Sequence, residues 1–254
     1  MIRLLLETAT DVCSVAVAKG GLVLAEHTAT EAHQHSSHLT LFIQKVMAEA
    51  ELEMTDLDEV VLSDGPGSYT SLRVGAATAK GLCVALPELK LRVVSTLQSL
   101  AMAGSYDGPV LATINSRKGE VFGQLFLARP QVHREVEGKV GIPESIHPLF
   151  LEPQNIRLTE AGWLDTITVA AGTAYITVVG SGAQRLLDAP EGNETLGFAD
   201  PKQCSARLLL APVLRLHSAG TASPDSSRLV DIASYEPFYL NPPFVTKSKK
   251  KLLG

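Results

Sequence analysis

The segment with the clearest chemical potential is Gly65-Pro66-Gly67-Ser68-Tyr69-Thr70-Ser71-Leu72-Arg73, where two glycines free the backbone just ahead of hydroxyl residues able to cap a helix. A helix N-terminus offers unpaired N–H groups and the positive end of its dipole, so this turn can hold a nucleotide phosphate or a partner's carboxylate. The same residues also suffice simply to turn the chain and cap a helix. No Gly-Lys-Ser/Thr follows, so it is not a Walker loop. A second polar corner, Glu7-Thr8-Ala9-Thr10, can face a phosphate through hydroxyls and turn N–H groups, or be an ordinary hairpin turn. His33, His35 and His38 invite a metal reading. Their spacing lacks the i, i+4 pair of one helical face and no zinc-protease carboxylate follows, which favours a surface cap. No Ser/His/Asp set or close carboxylate pair announces itself.

These candidates need a scaffold, and 254 residues suffice for two lobes of about 100 residues each. With 45% hydrophobic and 19% charged residues the composition is that of an ordered globular protein. No apolar run reaches the roughly 18 residues of a membrane span, and Glu7 interrupts the opening before a signal-peptide core forms, so a cytoplasmic protein with no membrane role is expected. Cys13, Cys83 and Cys204 are odd in number and far apart, which predicts reduced, partly buried thiols. Twenty-two basic against 27 acidic residues argue against autonomous tight binding to a phosphate backbone. The basic run 247–251 reads as a solvated tail, and acidic clusters such as 51–59 as solvated turns.

Hydrophobic periodicity predicts strands over 3–6, 13–18 and 22–28, the first two joined as a hairpin. A helix follows over 37–50, capped by Ser36 or Ser37, with Leu39, Phe42, Ile43, Val46, Met47 and Ala50 at helical spacing. A strand over 57–63 feeds the glycine-rich turn, and residues 71–86 form a second helix rich in Gly75, Ala76, Ala77, Ala79, Gly81 and Ala85. A strand over 91–94 and a helix over 96–103 complete the first lobe. The pattern then restarts: strand 110–114, polar turn 115–119, strand 120–127, so Glu7 and Asn115 occupy comparable corners. Later come a strand over 176–179, a short helix after Gly180-Ser181-Gly182-Ala183, a helix over 205–216, and an extended Pro-rich end over 236–244. The stretch 133–171 shows little pattern. The division is a first lobe over 1–105, a second over 106–220 and a tail over 221–254.

Residues 4–17, LLLETATDVCSVAV, resemble the opening of the TsaB family, also called YeaZ, and residues 65–75 resemble its longest signature. Residues 115–122, 180–183 and 235–240 match further motifs in order, so the resemblance covers nearly the whole chain. It implies an α/β, duplicated actin-like ATPase fold (ASKHA, ribonuclease H-like) with two lobes. It also implies a non-catalytic subunit acting beside the catalytic paralogue TsaD, the ATPase TsaE and a synthase, to form threonylcarbamoyladenosine next to the tRNA anticodon. ATP and metal are then expected on the partner subunits and none on the isolated chain, with tRNA met only through the complex and a homodimer possible in isolation. Three positions depart from the family pattern: Glu7 and Asn115 replace common aspartates and Ser71 a usual glycine. Where the catalytic paralogue carries two metal-binding histidines, this chain has Thr96 and Leu100. The partner surface is expected on Leu39, Phe42, Ile43 and Val46 of the first helix and Leu72, Gly75, Ala76, Ala79, Leu82 and Cys83 of the second. Small residues there let a neighbouring helix approach closely, unless that face packs on the sheet inside the lobe. The alternative is a metallopeptidase-like or ATP-dependent phosphotransfer enzyme of the same fold, and a lower one a purely structural homodimer.

Overall fold

In the computed structural model, which describes residues 1–29, 35–129, 145–149, 152–173, 175–189, 195–218 and 227–242, the run Leu4-Leu5-Leu6 lies in β1 (Ile2–Glu7). Both faces of this strand are covered, so it reads as a continuous apolar run rather than an alternating one. Leu4 and Leu6 meet the core under the first two helices, while Leu5 meets Leu209, Leu210 and Val213 on the opposite face. β2 (Cys13–Lys19) and β3 (Leu22–Ala29) extend the sheet antiparallel, and α1 (His35–Glu49) follows. β4 (Glu59–Gly65) and β5 (Lys90–Ser95) run parallel to β1, separated by the crossover helix α2 (Tyr69–Ala85). α3 (Thr96–Ala101) leaves β5 directly.

The second sheet repeats this plan. β6 (Gly108–Asn115) pairs antiparallel with β7 (Glu120–Arg129), which also takes β8 (Ser145–Pro148) and β9 (Gln154–Arg157). After α4 (Trp163–Ala171), β10 (Ile176–Val179) returns parallel to β6, and α5 (Ala183–Leu187) leads to β11 (Leu196–Phe198). A 3-10 turn over Ala206–Leu209 runs into α6 (Leu210–Ser218), and β12 (Ser227–Val230) closes the first sheet against β5. The orders are β12-β5-β4-β1-β2-β3 and β11-β10-β6-β7-β8, with β9 off the second path. β1 and β6 thus each have an antiparallel hairpin partner on one side and a parallel strand on the other, the duplicated two-lobed arrangement of the actin-like ATPase fold.

Four sequence expectations are corrected. Residues 206–218 cover the first sheet with Ala206, Leu209, Leu210 and Val213, so the second lobe does not extend unbroken to residue 220. Conversely Leu97, Leu100 and Ala101 of α3 pack with β6 and β7, which moves the lobe junction before residue 105. The supposed tail supplies a strand, because β12 satisfies the β5 edge and buries Ser227. Glu59 is not in a solvated turn but buried, with Arg3 Nε at 3.0 Å and Arg92 Nη2 at 2.9 Å. Burial acts to raise its carboxyl, yet the hydrogen bonds and charges of Arg92 and Arg3 outweigh that and hold it low.

The patternless stretch contains β8, β9 and α4, short elements whose few apolar residues carry no periodicity. The three cysteines are free and buried. No helix among the described residues is long and apolar enough to cross a membrane. The basic run 247–251 lies outside the described residues.

Candidate functional site

Between the lobes lies a cleft of about 470 Å³. The β1–β2 turn brings Ala9, Thr10 and Asp11 to it, and the β6–β7 turn brings Asn115, Ser116 and Arg117. Gly67, Ser68 and Tyr69 enter from the start of α2, Ser181 and Arg185 from the α5 region, and Asn241 and Pro242 from the chain's last described residues. The two polar corners and the glycine-rich turn singled out in the sequence therefore do converge. Duplication explains it: each hairpin turn projects from the same end of its own sheet.

The hairpin tip and the glycine-rich turn are locked together. Ser68 N–H donates to the Ala9 carbonyl at 2.7 Å, and a Cβ on Gly67 would overlap that carbonyl. Glycine at 67 is thus required by close backbone approach. Ser68 occupies the N-cap of α2 but makes no side-chain cap bond. Its hydroxyl instead accepts from Ser71 at 3.0 Å. The second lobe has a matching lock: Gly182 N–H donates to Thr113 O at 3.3 Å, and a Cβ on Gly180 would overlap the same carbonyl. Arg185 Nη1 donates to the carbonyls of Ser116, Arg117 and Glu120 at 3.0, 2.6 and 2.7 Å, which fixes the β6–β7 turn.

Glu7 does not reach the cleft. It is fully buried under the hairpin, where Oε1 accepts from Ala9 N–H at 2.7 Å and Oε2 has no partner among the described residues. Burial pushes its carboxyl up to about 7, against the lowering effect of bonds from Ala9 and Ser63. Burial and the nearby Glu7 charge likewise raise the thiols of Cys13, to about 11, and Cys204. Thr96 and Leu100 are both fully buried in α3 at the lobe junction.

A hub that sequence reasoning missed sits at the end of β4. Asp64 Oδ1 accepts from Tyr235 O–H at 2.9 Å, Oδ2 from Arg228 Nη2 at 3.1 Å, and its carbonyl from Phe238 N–H at 2.8 Å. The C-terminal residues are thereby bound to the strand that feeds the glycine-rich turn, and the Tyr69 and Tyr239 rings meet at 4.6 Å between centroids. The one sequence signal is the family-like motif at 235–240.

The expected partner residues lie elsewhere. Leu39, Phe42, Ile43, Val46, Ala76, Ala79 and Cys83 belong to the core between the helices and the first sheet. Leu72 and Gly75 are also buried, and only Leu82 is half-buried. This corrects the assignment of these residues as an outward surface. A Cβ on Gly75 would collide with Thr8 Oγ1 and approach Leu62 Cδ1 at 3.0 Å, so the small residues bring α2 down onto the sheet. The outward faces carry Leu41 (43% exposed) and Ala48 on α1, and Ala77, Gly81, Val84 (70% exposed) and Ala85 on α2.

Of the histidines, His33 lies outside the described residues and His35 opens α1. The ring of His38 packs on Phe42 at 5.3 Å together with His27, a β3 residue that the histidine cluster did not include. His27 Nε2 also meets Glu49 Oε1 at 2.7 Å.

The family model described as TsaD, tRNA N6-adenosine threonylcarbamoyltransferase, matches residues 22–134. The tRNA threonylcarbamoyladenosine biosynthesis protein TsaB of Bacillus subtilis is 27% identical over 168 residues, 66% of this chain and 66% of the relative. The protein of the same name from Escherichia coli is 35% identical over 122 residues, 47% of this chain and 52% of the relative. The matches thus span about half to two thirds of these relatives' length. The solved structure of YeaZ from Pseudomonas aeruginosa superposes with a TM-score of 0.63 at 21% identity, covering 94% of this chain and 99% of that one, which establishes the shared fold. With ordered motifs in both lobes, these relatives and this architecture, the chain is similar to proteins of the TsaB (YeaZ) family and shares the fold of YeaZ.

Proposed function

We propose that this chain takes part in tRNA threonylcarbamoyladenosine biosynthesis as a non-catalytic subunit that binds and stabilises a TsaD-type catalytic paralogue. The observation that carries the reading is the Ala9 carbonyl seated against Gly67 and Ser68. It places a backbone acceptor, which repels a phosphate oxygen, where the glycine-rich turn would otherwise present its N–H groups. Two further facts support it. Glu7, at the first hairpin corner, is buried under the hairpin and inclined to hold its proton. Thr96 and Leu100, where the resemblance implies the paralogue's histidines, are buried side chains without an imidazole.

The partner surface in this reading is the outward face of α1 and α2. Ala77, Gly81 and Ala85 recur every four residues beside Val84, with Leu41 and Ala48 on α1. A Cβ on Gly81 would meet nothing within 4 Å, so a facing helix can approach closely there. The same patch can pair with itself about a two-fold axis when the paralogue is absent, giving a homodimer that competes with the heterodimer. ATP, metal and the ATPase TsaE belong to the partner side of the assembly, and tRNA is met through the complex.

Co-purification with the paralogue tests the reading. Gly81→Arg should leave the chain folded and abolish both associations. A folded Gly81→Arg chain that still co-purifies normally would reject the surface, and a wild-type chain that binds no paralogue would reject the function.

A further inference from the structure

Glu7 and Ser68 are joined through a single residue. The Ala9 N–H donates to Glu7 Oε1 at 2.7 Å, and the Ala9 carbonyl accepts from Ser68 N–H, also at 2.7 Å. Whatever moves the hairpin tip relative to Glu7 therefore also moves it on the glycine-rich turn. The carboxyl end of this relay is sealed: Glu7 is 0% exposed, and its Oε2 has no hydrogen-bond partner among the described residues. A buried carboxylate needs a cation or several N–H donors to offset the loss of water, whereas the protonated acid needs far less.

The described groups around the carboxyl offer little in exchange. Ser63 of β4 lies against it, its hydroxyl already accepting from Thr8 N–H at 3.2 Å. Ser14 is its register partner on β2, and Ser14 leads to Glu26 of β3, which is occupied by Arg207 of the 3-10 turn at 2.7 Å. The thiols of Cys13 and Cys204 are close enough for the Glu7 charge to oppose their ionisation, so they stay neutral while a carboxyl titrates. Asp11 of the same hairpin is exposed and of like charge. An ionised Glu7 can thus be relieved only by water, and the hairpin tip is the part of its cover that can give way, because β1 is paired along both edges.

We propose that Glu7 is a proton-controlled latch: protonated, it holds the β1–β2 tip closed on Gly67 and Ser68, and ionised, it releases the tip so that the glycine-rich turn presents its N–H groups to the cleft. The burial that pushes the carboxyl up to about 7, from 4.5 in water, sets the range. Opening releases a proton between these two values, so the closed latch is fully favoured below the lower one, weakens as pH rises, and changes no further above the upper one. The second lobe carries a comparable lock without the latch. There Gly182 N–H donates to the Thr113 carbonyl, and the corner comparable to Glu7 holds Asn115, which is exposed and does not titrate.

Amide hydrogen exchange followed by NMR on the full chain tests the latch, with rates corrected for intrinsic pH dependence and read as protection factors. Between about pH 5 and about pH 7 the protection of Ser68 should fall about ten-fold or more, while that of Gly182 stays level. Glu7→Gln, whose amide cannot ionise, should hold Ser68 protection constant over the same range. Should that variant fail to fold, the comparison of Ser68 with Gly182 in the wild-type chain decides alone. Three outcomes would overturn the latch: Ser68 protection that does not change with pH, a fall of equal size at Gly182, which marks loosening of the whole chain, or an undiminished fall in a folded Glu7→Gln chain.

Discussion

The amide of Ser68 points at the carbonyl of Ala9 across 2.7 Å, joining the N-cap of α2 to the β1–β2 hairpin. The contact makes the two most suggestive sequence motifs into partners of each other. Gly67→Ala should therefore be costly, because its Cβ would overlap a backbone carbonyl with little freedom to move. Denaturant unfolding should show a loss of about 3 kcal/mol. An unchanged midpoint would mean that the hairpin is not held against the turn.

The two glycines of α2 should respond in opposite directions. Gly75→Ala forces a methyl toward Thr8 and Leu62 and should destabilise by about 1–3 kcal/mol. Gly81→Ala meets open space and should stabilise by about 0.5–1 kcal/mol, since alanine loses less backbone entropy in a helix. Equal effects in thermal or chemical unfolding would contradict the inward and outward faces assigned to this helix.

Glu7 gives stability a pH dependence of definite sign. Its folded pKa is raised from 4.5 to about 7, so between these values the native state keeps a proton that the unfolded chain releases. The contribution is full below pH 4.5 and is lost as pH rises toward about 7, amounting to a few kcal/mol at most. Glu7→Gln should flatten this part of the stability–pH profile. A wild-type profile that rises across the same window and is unaltered by Glu7→Gln would show an ionised carboxylate instead.

Truncation before residue 227 should damage the first lobe rather than trim a tail. It removes β12 from the β5 edge, Ser227 from Arg92, and Tyr235 and Arg228 from Asp64. The shortened chain should unfold at lower denaturant and associate through the bare edge strand, as size-exclusion chromatography would reveal. A shortened chain as stable and as soluble as the full one would make the strand dispensable.

The sequence showed clearly those elements whose burial has a single cause. β1, a run of leucines covered on both faces, and the strand–turn–strand restart at residue 110 are examples. β12 was hidden because Ser-Arg-Leu-Val is short and its value lies in pairing with a distant strand, which no local pattern records. The direction of the small-residue face of α2 is not legible in the sequence for a related reason. Small residues permit close approach to a partner helix and to a sheet alike, and only the position of Thr8 and Leu62 decides between them. In the candidate site the corners at Glu7 and Asn115 were legible from the duplication, but the withdrawal of Glu7 beneath the hairpin depends on tertiary packing. The Asp64 hub was illegible for the same reason, since its partners come 164 and 171 residues later.

The most direct test of the account is a reconstituted tRNA modification reaction containing the TsaD-type paralogue, the TsaE-type ATPase, the synthase, ATP and threonine, with and without this chain. Threonylcarbamoyladenosine should form efficiently only when the chain is present, Gly81→Arg should abolish that support, and the chain alone should show no turnover of ATP. Full modification without the chain, or ATP turnover by the chain alone that Glu7→Gln abolishes, would contradict its role as a non-catalytic subunit.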